Sequence, residues 1–209
     1  MQSLNDKTTA SRTLEATSFL IRRLGSRPQT RELVAAMVEV RQALRSADDS
    51  WQEARTARMA ATAEVEFQDE WLDGGVMQVG REARALVEGQ TGDPRYTALF
   101  PIAPSAAMAP VGGDAQARFV KAMIQQLEGD DAFVSLRHHA TTLTERAEAL
   151  TTALAAREEL YLAEAQADAV RTRAADAARR AYNLMYPRLQ LIFPDRPTLV
   201  ESFFLRRDG

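Results

Sequence analysis

The chain has 209 residues, of which 45% are hydrophobic and 26% charged, with a formal net charge of -3. These values are typical of a globular protein, and the weak negative charge gives no overall electrostatic reason to bind nucleic acid or an anionic membrane. The absence of cysteine excludes disulfides, zinc-thiolate and iron-sulfur sites, and thiol nucleophiles. No run approaches the roughly 18 apolar residues of a membrane span. We therefore expect a soluble protein in the cytoplasm, a location that the lack of cysteine allows.

Two predicted helices occupy the chain up to Gly89. The first runs from about Thr9 to Leu24 and ends at Gly25, which accepts the positive φ of a helix C-terminus. The second begins near Pro28, a residue suited to a first helical turn, and continues to about Gly89 because no further proline intervenes. The pattern predicts a short helix followed by a long one.

The long helix carries a repeating apolar seam, whose members alternate steps of four and three residues as in a coiled coil. The seam consists of Leu33, Met37, Val40, Leu44, Ala47, Trp51, Ala54, Arg58, Ala61, Val65, Gln68 and Leu72. Beyond Leu72 the seam shifts by one residue, at Gly74 and Gly75, and resumes at Val76. This shift indicates a kink, a short break or a bulge at the two glycines.

A proline-rich motif occurs twice with identical spacing. Its pattern is Pro-Arg-x4-Phe-Pro-x2-Pro, without a gap in either copy. The first copy consists of Pro94, Arg95, Phe100, Pro101 and Pro104, and the second of Pro187, Arg188, Phe193, Pro194 and Pro197. Chance rarely keeps so many residues in register, so the pattern predicts a duplicated structural unit that closes each long helix.

The second half of the chain repeats the plan of the first. A short helix is predicted after Asp114 and ends at Gly129. A second long helix is predicted from about Ala132 to Tyr186, because this stretch contains neither glycine nor proline. The second motif then ends the helix, since Pro187 lacks the N–H that continues the helical hydrogen bonds.

A short terminal helix is predicted after the second motif. Thr198 and Glu201 have the spacing of a capping box, and an apolar pair, Phe203 and Phe204, follows them. If this segment folds back, the two rings are structural; if it is a free tail, they form a docking patch for another protein. Folding back is favoured because the capping box indicates local order.

Together these elements predict an all-α fold. The expected architecture is an elongated helical bundle of two tandem short-helix/long-helix repeats, each closed by the Pro-Arg-x4-Phe-Pro-x2-Pro turn. The repeats span residues 1–113 and 114–209, share one core and are related by an approximate pseudo-twofold. The relative direction of the two long helices is open, because the segment between the repeats is long enough for either geometry.

The repeated motif has a structural and a binding interpretation. In the structural one, Phe100 and Phe193 plug equivalent ends of the bundle while Arg95 and Arg188 bind carbonyls at helix ends. In the binding one, two proline-spaced aromatic loops recognise a partner. The structural interpretation is favoured because exposed aromatic loops are costly to keep in water.

Catalytic and metal chemistry receive little support. The two histidines of the chain, His138 and His139, are adjacent, and adjacent helical residues point about 100° apart, which argues against one shared metal ion. The sequence contains no nucleophile elbow and no glycine-rich phosphate loop. We therefore expect no catalytic residue, no metal site and no cofactor, and hence a protein that is not an enzyme.

Two clusters of like charge form candidate interaction patches. The acidic patch consists of Glu64, Glu66, Asp69, Glu70 and Asp73, and the basic patch of Arg171, Arg173, Arg179 and Arg180, with Arg188 nearby. Solvated helix faces are the simplest interpretation. Opposite charge also suits the two patches to pair within one chain or between chains. A cation site formed by two acidic-patch carboxylates is less favoured, because the residues scatter around the helix.

The leading functional hypothesis follows from the long amphipathic helices and the missing catalytic motifs. It is a non-enzymatic scaffold or protein-protein interaction protein that forms a homo-oligomer or binds another protein. An alternative is a helical bundle that holds a small apolar ligand or cofactor near Trp51, Trp71, Met37 or Tyr161. A weaker alternative is nucleic-acid binding through the basic patch, which the acidic net charge disfavours.

Overall fold

The computed structural model describes residues 3–109 and 112–205. Within these ranges the chain forms α-helices and two short 3-10 helices, and it contains no strand. The α-helices are α1 (Ala10–Gly25), α2 (Glu32–Leu86), α3 (Pro94–Leu99), α4 (Pro104–Met108), α5 (Asp114–Gly129), α6 (His138–Ile192) and α7 (Pro197–Glu201). The 3-10 helices are Pro28–Thr30 and Asp131–Phe133. The predicted all-α class is confirmed. In the described part of the chain, every helix is too short or too polar to cross a membrane.

The first long helix, α2, is continuous over 55 residues. It passes through Gly74 and Gly75 without interruption, so the seam shift does not break the helix. Leu72 and Val76 flank the two glycines, and both belong to one buried cluster. The alternating pattern predicts a step of three residues after Leu72, whereas the next apolar residue, Val76, lies four residues on. A bundle helix has an apolar stripe wide enough to bury both positions.

The second long helix, α6, is also 55 residues long, and its predicted end at Tyr186 is wrong. The helix continues through Pro187 to Ile192. A proline inside a helix removes one backbone hydrogen bond, at a cost of roughly 3 kcal/mol. Pro187 is exposed, whereas Leu189, one half-turn further on, is fully buried beside Met185. Because the helix continues, Leu189 is buried, and this burial offsets the backbone hydrogen bond lost at Pro187.

The chain divides into two compact units. The central unit is Ala57–Tyr161, and the split unit combines Met1–Thr56 with Leu162–Gly209. These units do not coincide with the halves 1–113 and 114–209, because each unit combines parts of both long helices. The repeat relationship between the two halves stays a prediction.

In the central unit α2 and α6 run antiparallel. His139 of α6 binds Glu82 of α2, and Arg146 binds the backbone carbonyl of Trp71. Residue numbers therefore fall along α2 as they rise along α6. Residues of α2, α3, α4, α5 and α6 share one apolar core, whose buried members include Val65, Leu72, Val76, Val79, Leu99, Phe100, Met108, Val120, Met123, Leu127, Leu143 and Leu150.

The split unit has its own apolar core. It is formed by α1, the first part of α2, the last part of α6 and α7, and its buried members include Leu20, Leu24, Met37, Tyr182, Met185, Leu189, Val200, Phe203 and Phe204. A smaller cluster joins Leu44 to Ala175 and Ala178. Here too α2 and α6 are antiparallel, because Met37 lies in the same buried cluster as Met185, whereas Leu44 lies in the same cluster as Ala175. Alanine side chains allow close packing at this position.

The helical residues of the two motif copies correspond in position. Pro94–Leu99 forms α3, and the equivalent residues 187–192 form the last part of α6. Pro104–Met108 forms α4, and Pro197–Glu201 forms α7, with four non-helical residues before each. The copies differ before the motif, where a turn with positive φ at Glu88 and Gly89 separates α2 from α3.

Candidate functional site

One side of α2 in the central unit exposes large apolar side chains. Met59, Phe67, Trp71 and Met77 are 56%, 46%, 52% and 38% exposed. At about 100° per residue, these four side chains and Gly74 lie within roughly 120° of the helix circumference. We call this surface the outer α2 face, defined by Met59, Phe67, Trp71, Gly74 and Met77. These residues lie outside the predicted seam, on the side of α2 that faces away from the buried positions Leu72 and Val76.

Arg146 of α6 contacts Trp71 at one edge of the outer α2 face. Its guanidinium lies 5.2 Å from the centroid of the Trp71 ring, and its Nη1 donates a hydrogen bond of 2.6 Å to the Trp71 carbonyl. The Phe67 and Trp71 rings are 5.4 Å apart. These side chains, with Glu70, Gly74 and Gln78, line a surface pocket of about 440 Å³. Tryptophan and arginine beside a pocket are the residue types that dominate protein interfaces.

The acidic patch separates into an inward pair and an exposed set. Asp69 is buried and accepts a hydrogen bond of 2.8 Å from the Gln116 side-chain amide of α5, which also lies 3.4 Å from Asp73. Gln116 Oε1 accepts the backbone N–H of Gly112 at 2.7 Å. The remaining members, Glu64, Glu66 and Glu70, are exposed. Burial, and next the nearby charge of Asp69, raise the pKa of Asp73 above its ordinary value. The pair therefore ties α5 and its preceding loop to α2.

The basic patch separates in the same way. Arg171 lies 3.5 Å from the centroid of the Trp51 ring and pairs with Asp168 and, at 3.8 Å, with Asp48. Arg179 is buried and donates to the backbone carbonyls of residues 6 and 8. Both arginines therefore bind partners within the split unit instead of pairing with the acidic patch. Two other members, Arg173 and Arg180, are exposed.

The aromatic residues of the motifs and the terminal segment are mainly structural. Phe100 is buried against Tyr96 and Phe119, while Phe193 is half-buried and stacks on Phe203 at 6.1 Å between ring centroids. Phe203 and Phe204 are buried in the core of the split unit, so their interpretation as a free docking patch is wrong. The segment folds back, as predicted, because the two rings complete that core.

Two finer expectations for the motif region are also wrong. Arg95 does not bind a helix-terminal carbonyl, because its guanidinium binds the Asp93 carboxylate that caps α3. The predicted capping box does not form at α7, which begins at Pro197, two residues earlier than a cap at Thr198 requires, with Arg196 in the cap position and no side-chain cap bond. Proline already supplies a favourable first turn, so Thr198 lies inside the helix.

A larger cavity lies between α5 and α6 in the central unit. Its volume is about 780 Å³. Its lining combines apolar and polar side chains, among them Leu72, Val120, Ile124, Leu150, Leu154, Gln116, Lys121, Thr144 and Thr151. The residues expected around a ligand do not line it. Met37 and Trp51 belong to the split unit, Trp71 lies on the outer α2 face, and Tyr161 is exposed beside Arg58.

The histidine pair differs from its predicted geometry. The His138 and His139 rings have centroids 4.0 Å apart, and His139 Nε2 lies 2.8 Å from Glu82 Oε2. One ligand atom from each of these three residues lies within 4.8 Å of the other two. The rings converge because side-chain rotation overcomes the 100° between adjacent helical residues. Sequence reasoning missed Glu82 because it lies 57 positions away from His139.

Comparison of the chain with models of protein families, with curated proteins and with solved structures finds no match. Residue roles therefore follow from the geometry of this chain alone. Two features of the described residues are candidates for binding. The outer α2 face leaves large apolar side chains exposed to solvent, and the cavity between α5 and α6 is lined by apolar and polar side chains.

Proposed function

We propose that this protein is a non-enzymatic interaction and scaffold protein that self-associates through the outer α2 face. The observation that supports the proposal most directly is the half-exposed Trp71 ring, with Phe67 one turn before it. Adjacent exposed aromatic rings are unfavourable in water and are typical of interfaces. A second copy of the chain would bury both rings.

The outer α2 face is complementary to itself in one particular arrangement. In a twofold dimer, the same surface of each copy meets the other. If two α2 helices cross antiparallel at Gly74, Trp71 of one copy lies opposite Met77 of the other, and Phe67 lies opposite Arg81. The first contact is apolar, and the second places a guanidinium against an aromatic ring. In this pairing both aromatic rings are buried, and the arginine gains a cation-π contact.

Gly74 suits the centre of this arrangement. It is exposed, and a Cβ built at this position meets no atom within 4 Å. A residue without a side chain lets two helix axes approach closely. Within the helix of a single chain, glycine is destabilising by roughly 0.5 to 1 kcal/mol relative to alanine. Close approach of a second α2 helix gives the glycine a function that offsets this cost.

Sedimentation velocity of variants tests the proposal. Wild-type protein is expected to sediment as a dimer, whereas Trp71→Ser and Gly74→Leu are expected to sediment as monomers. Leu184→Ser is the matched control, because Leu184 is a similarly exposed apolar residue of the split unit. Dimers that persist in both face variants would exclude the outer α2 face as the interface. A monomeric wild-type protein would exclude self-association.

The cavity between α5 and α6 favours a second candidate function, the binding of a small apolar molecule with a few polar groups. Its volume of about 780 Å³ lies in the range of ligand sites, and its mixed lining is typical of them. Ala117 lines the cavity, whereas Ala115 of the same helix does not. Ala117→Trp is therefore expected to abolish enhanced fluorescence of a bound anilinonaphthalene probe, and Ala115→Trp to preserve it. Equal probe binding by both variants would contradict the candidate.

A further inference from the structure

Three side chains of the central unit have the composition of a transition-metal site. Two imidazoles, from His138 and His139 at the beginning of α6, meet the carboxylate of Glu82 near the end of α2. Nitrogen and carboxylate ligands bound to one zinc ion lie about 2.0 to 2.2 Å from it, so they are roughly 3.3 Å apart in a tetrahedral site. The 2.8 Å separation of His139 Nε2 and Glu82 Oε2 is close to that spacing.

Hydrogen bonds to the outer atoms of His138 and Glu82 fix the orientation of these side chains, as is common for metal ligands. His138 Nδ1 lies 3.0 Å from the Ser135 carbonyl oxygen. A carbonyl only accepts, so Nδ1 carries the hydrogen and Nε2 keeps a free lone pair for a metal. Metal-binding histidines commonly donate their other N–H to a backbone carbonyl in this way.

The Glu82 carboxylate is oriented in a comparable manner. Gln78 donates to Glu82 Oε1 at 3.1 Å, which leaves Oε2 toward His139.

We propose that Glu82, His138 and His139 bind one divalent transition-metal ion, with Zn²⁺ as the representative species. Imidazole and carboxylate ligands suit zinc better than magnesium or calcium, which prefer oxygen ligands alone. His139 is buried whereas His138 is exposed, so the site has an anchored side and a side open to solvent. Three protein ligands leave at least one coordination position for water.

Metal binding requires a defined proton movement. The Glu82 carboxylate accepts from His139 Nε2, so this nitrogen carries a hydrogen in the metal-free protein. When a metal ion binds at Nε2, that hydrogen is transferred to Nδ1 of the same ring, so the imidazole stays neutral. No bond within the chain is broken, and no electron is transferred.

Calorimetric titration of the metal-free full chain with zinc chloride tests the site. We expect one Zn²⁺ per chain, with binding at least about tenfold weaker in both His138→Ala and Glu82→Gln. His138 is exposed, so its replacement leaves the core intact. Glu145→Gln is the matched control, because Glu145 is an exposed glutamate of α6 outside the cluster, and its affinity should equal that of wild type.

The same samples titrated with Co²⁺ give an independent readout, because coordinated cobalt develops visible absorption that free aqueous cobalt lacks at that intensity. The site is overturned if wild-type protein shows neither zinc-binding heat nor cobalt absorption. It is also overturned if only one of the two ligand variants weakens binding, because that result describes a surface histidine or carboxylate instead of a three-ligand site. This outcome is independent of whether the protein self-associates.

Discussion

Gly75 lies beneath the side chain of Arg146. A Cβ at position 75 would come within 2.8 Å of Arg146 Nη1 and 3.0 Å of the Leu143 side chain. The glycine therefore allows the guanidinium to cross α2 and reach both the Trp71 carbonyl and the Trp71 ring. Its neighbour Gly74 has open space around it, so the two adjacent glycines have different structural roles.

Alanine at each glycine should give opposite changes in stability. Gly74→Ala is expected to raise the free energy of unfolding by about 0.5 to 1 kcal/mol, because alanine favours the helix and contacts nothing. Gly75→Ala is expected to lower it by about 1 to 3 kcal/mol, because Leu143 is buried and cannot move freely. Urea unfolding at low protein concentration measures both. Changes of the same sign would contradict the distinction.

The two motif phenylalanines should differ in their contribution to stability. Phe100→Ala is expected to cost about 3 to 5 kcal/mol, because the ring is 3% exposed and its removal leaves a cavity. Phe193→Ala should cost about half as much, because that ring is only half-buried against Phe203. Thermal and urea unfolding of the two variants provide the comparison. Equal losses in the free energy of unfolding would show that the two rings are equally buried at equivalent ends of the bundle, as the sequence pattern alone predicts.

Local signals in the sequence predicted some of the helix ends. α1 ends at Gly25 and Asp93 caps α3, as predicted, although Gly25 does not adopt the positive φ that was the reason for the first prediction. These features depend on a few neighbouring residues, so a single sequence contains the necessary information. The continuation of α6 through Pro187 could not be predicted in that way, because it depends on the burial of Leu189 in a distant core.

The candidate sites depend on pairings between distant segments. Gln116 binds Asp69 across 47 positions, and His139 binds Glu82 across 57. The antiparallel direction of α2 and α6 determines the second pairing, and the sequence left that direction open. The first pairing depends on how α5 packs against α2. The exposed aromatic side of α2 was missed for a different reason. Phe67 and Trp71 fit the general apolar pattern of a long helix, and only the structure shows which apolar residues face the core.

Asp73 should make the stability of the central unit depend on pH. Its raised pKa means that the folded state favours the neutral carboxyl, so the contribution of Asp73 to stability is greatest below the ordinary value of 3.8 and falls as Asp73 ionises. Asp73→Asn is expected to stabilise the protein at pH 7 by about 0.2 to 0.5 kcal/mol, because it removes a partly buried charge and the repulsion from Asp69 one turn away. The advantage should disappear below pH 3.8.

Urea unfolding at pH 7 and pH 3 measures this dependence, since both values can be reached without changing the denaturant. Glu66→Gln is the control, because Glu66 is an exposed member of the same acidic patch. A stabilisation of Asp73→Asn that persists unchanged at the lower pH would exclude ionisation of Asp73 as its cause.

Arg171 should stabilise the split unit through the Trp51 ring. The guanidinium carbon lies 3.5 Å from the ring centroid, and a lysine at this position cannot stack as a flat group. Arg171→Lys is expected to lower the free energy of unfolding by about 0.5 to 1 kcal/mol and to change the fluorescence of Trp51. Arg173→Lys, at an exposed position two residues away, should change neither. Identical behaviour of the two variants would contradict the stacking role.

Interchain disulfide formation tests the proposed self-association most directly. The chain has no cysteine, so Gly74→Cys introduces a single thiol at the expected twofold axis, and Leu184→Cys is a control of similar exposure. A disulfide requires Cβ atoms about 3.5 to 4.5 Å apart, which the antiparallel crossing at Gly74 brings together. The account predicts that mild oxidation converts Gly74→Cys rapidly to a covalent dimer of twice the 23.1 kDa chain mass. Crosslinking of Gly74→Cys no faster than that of Leu184→Cys would contradict it.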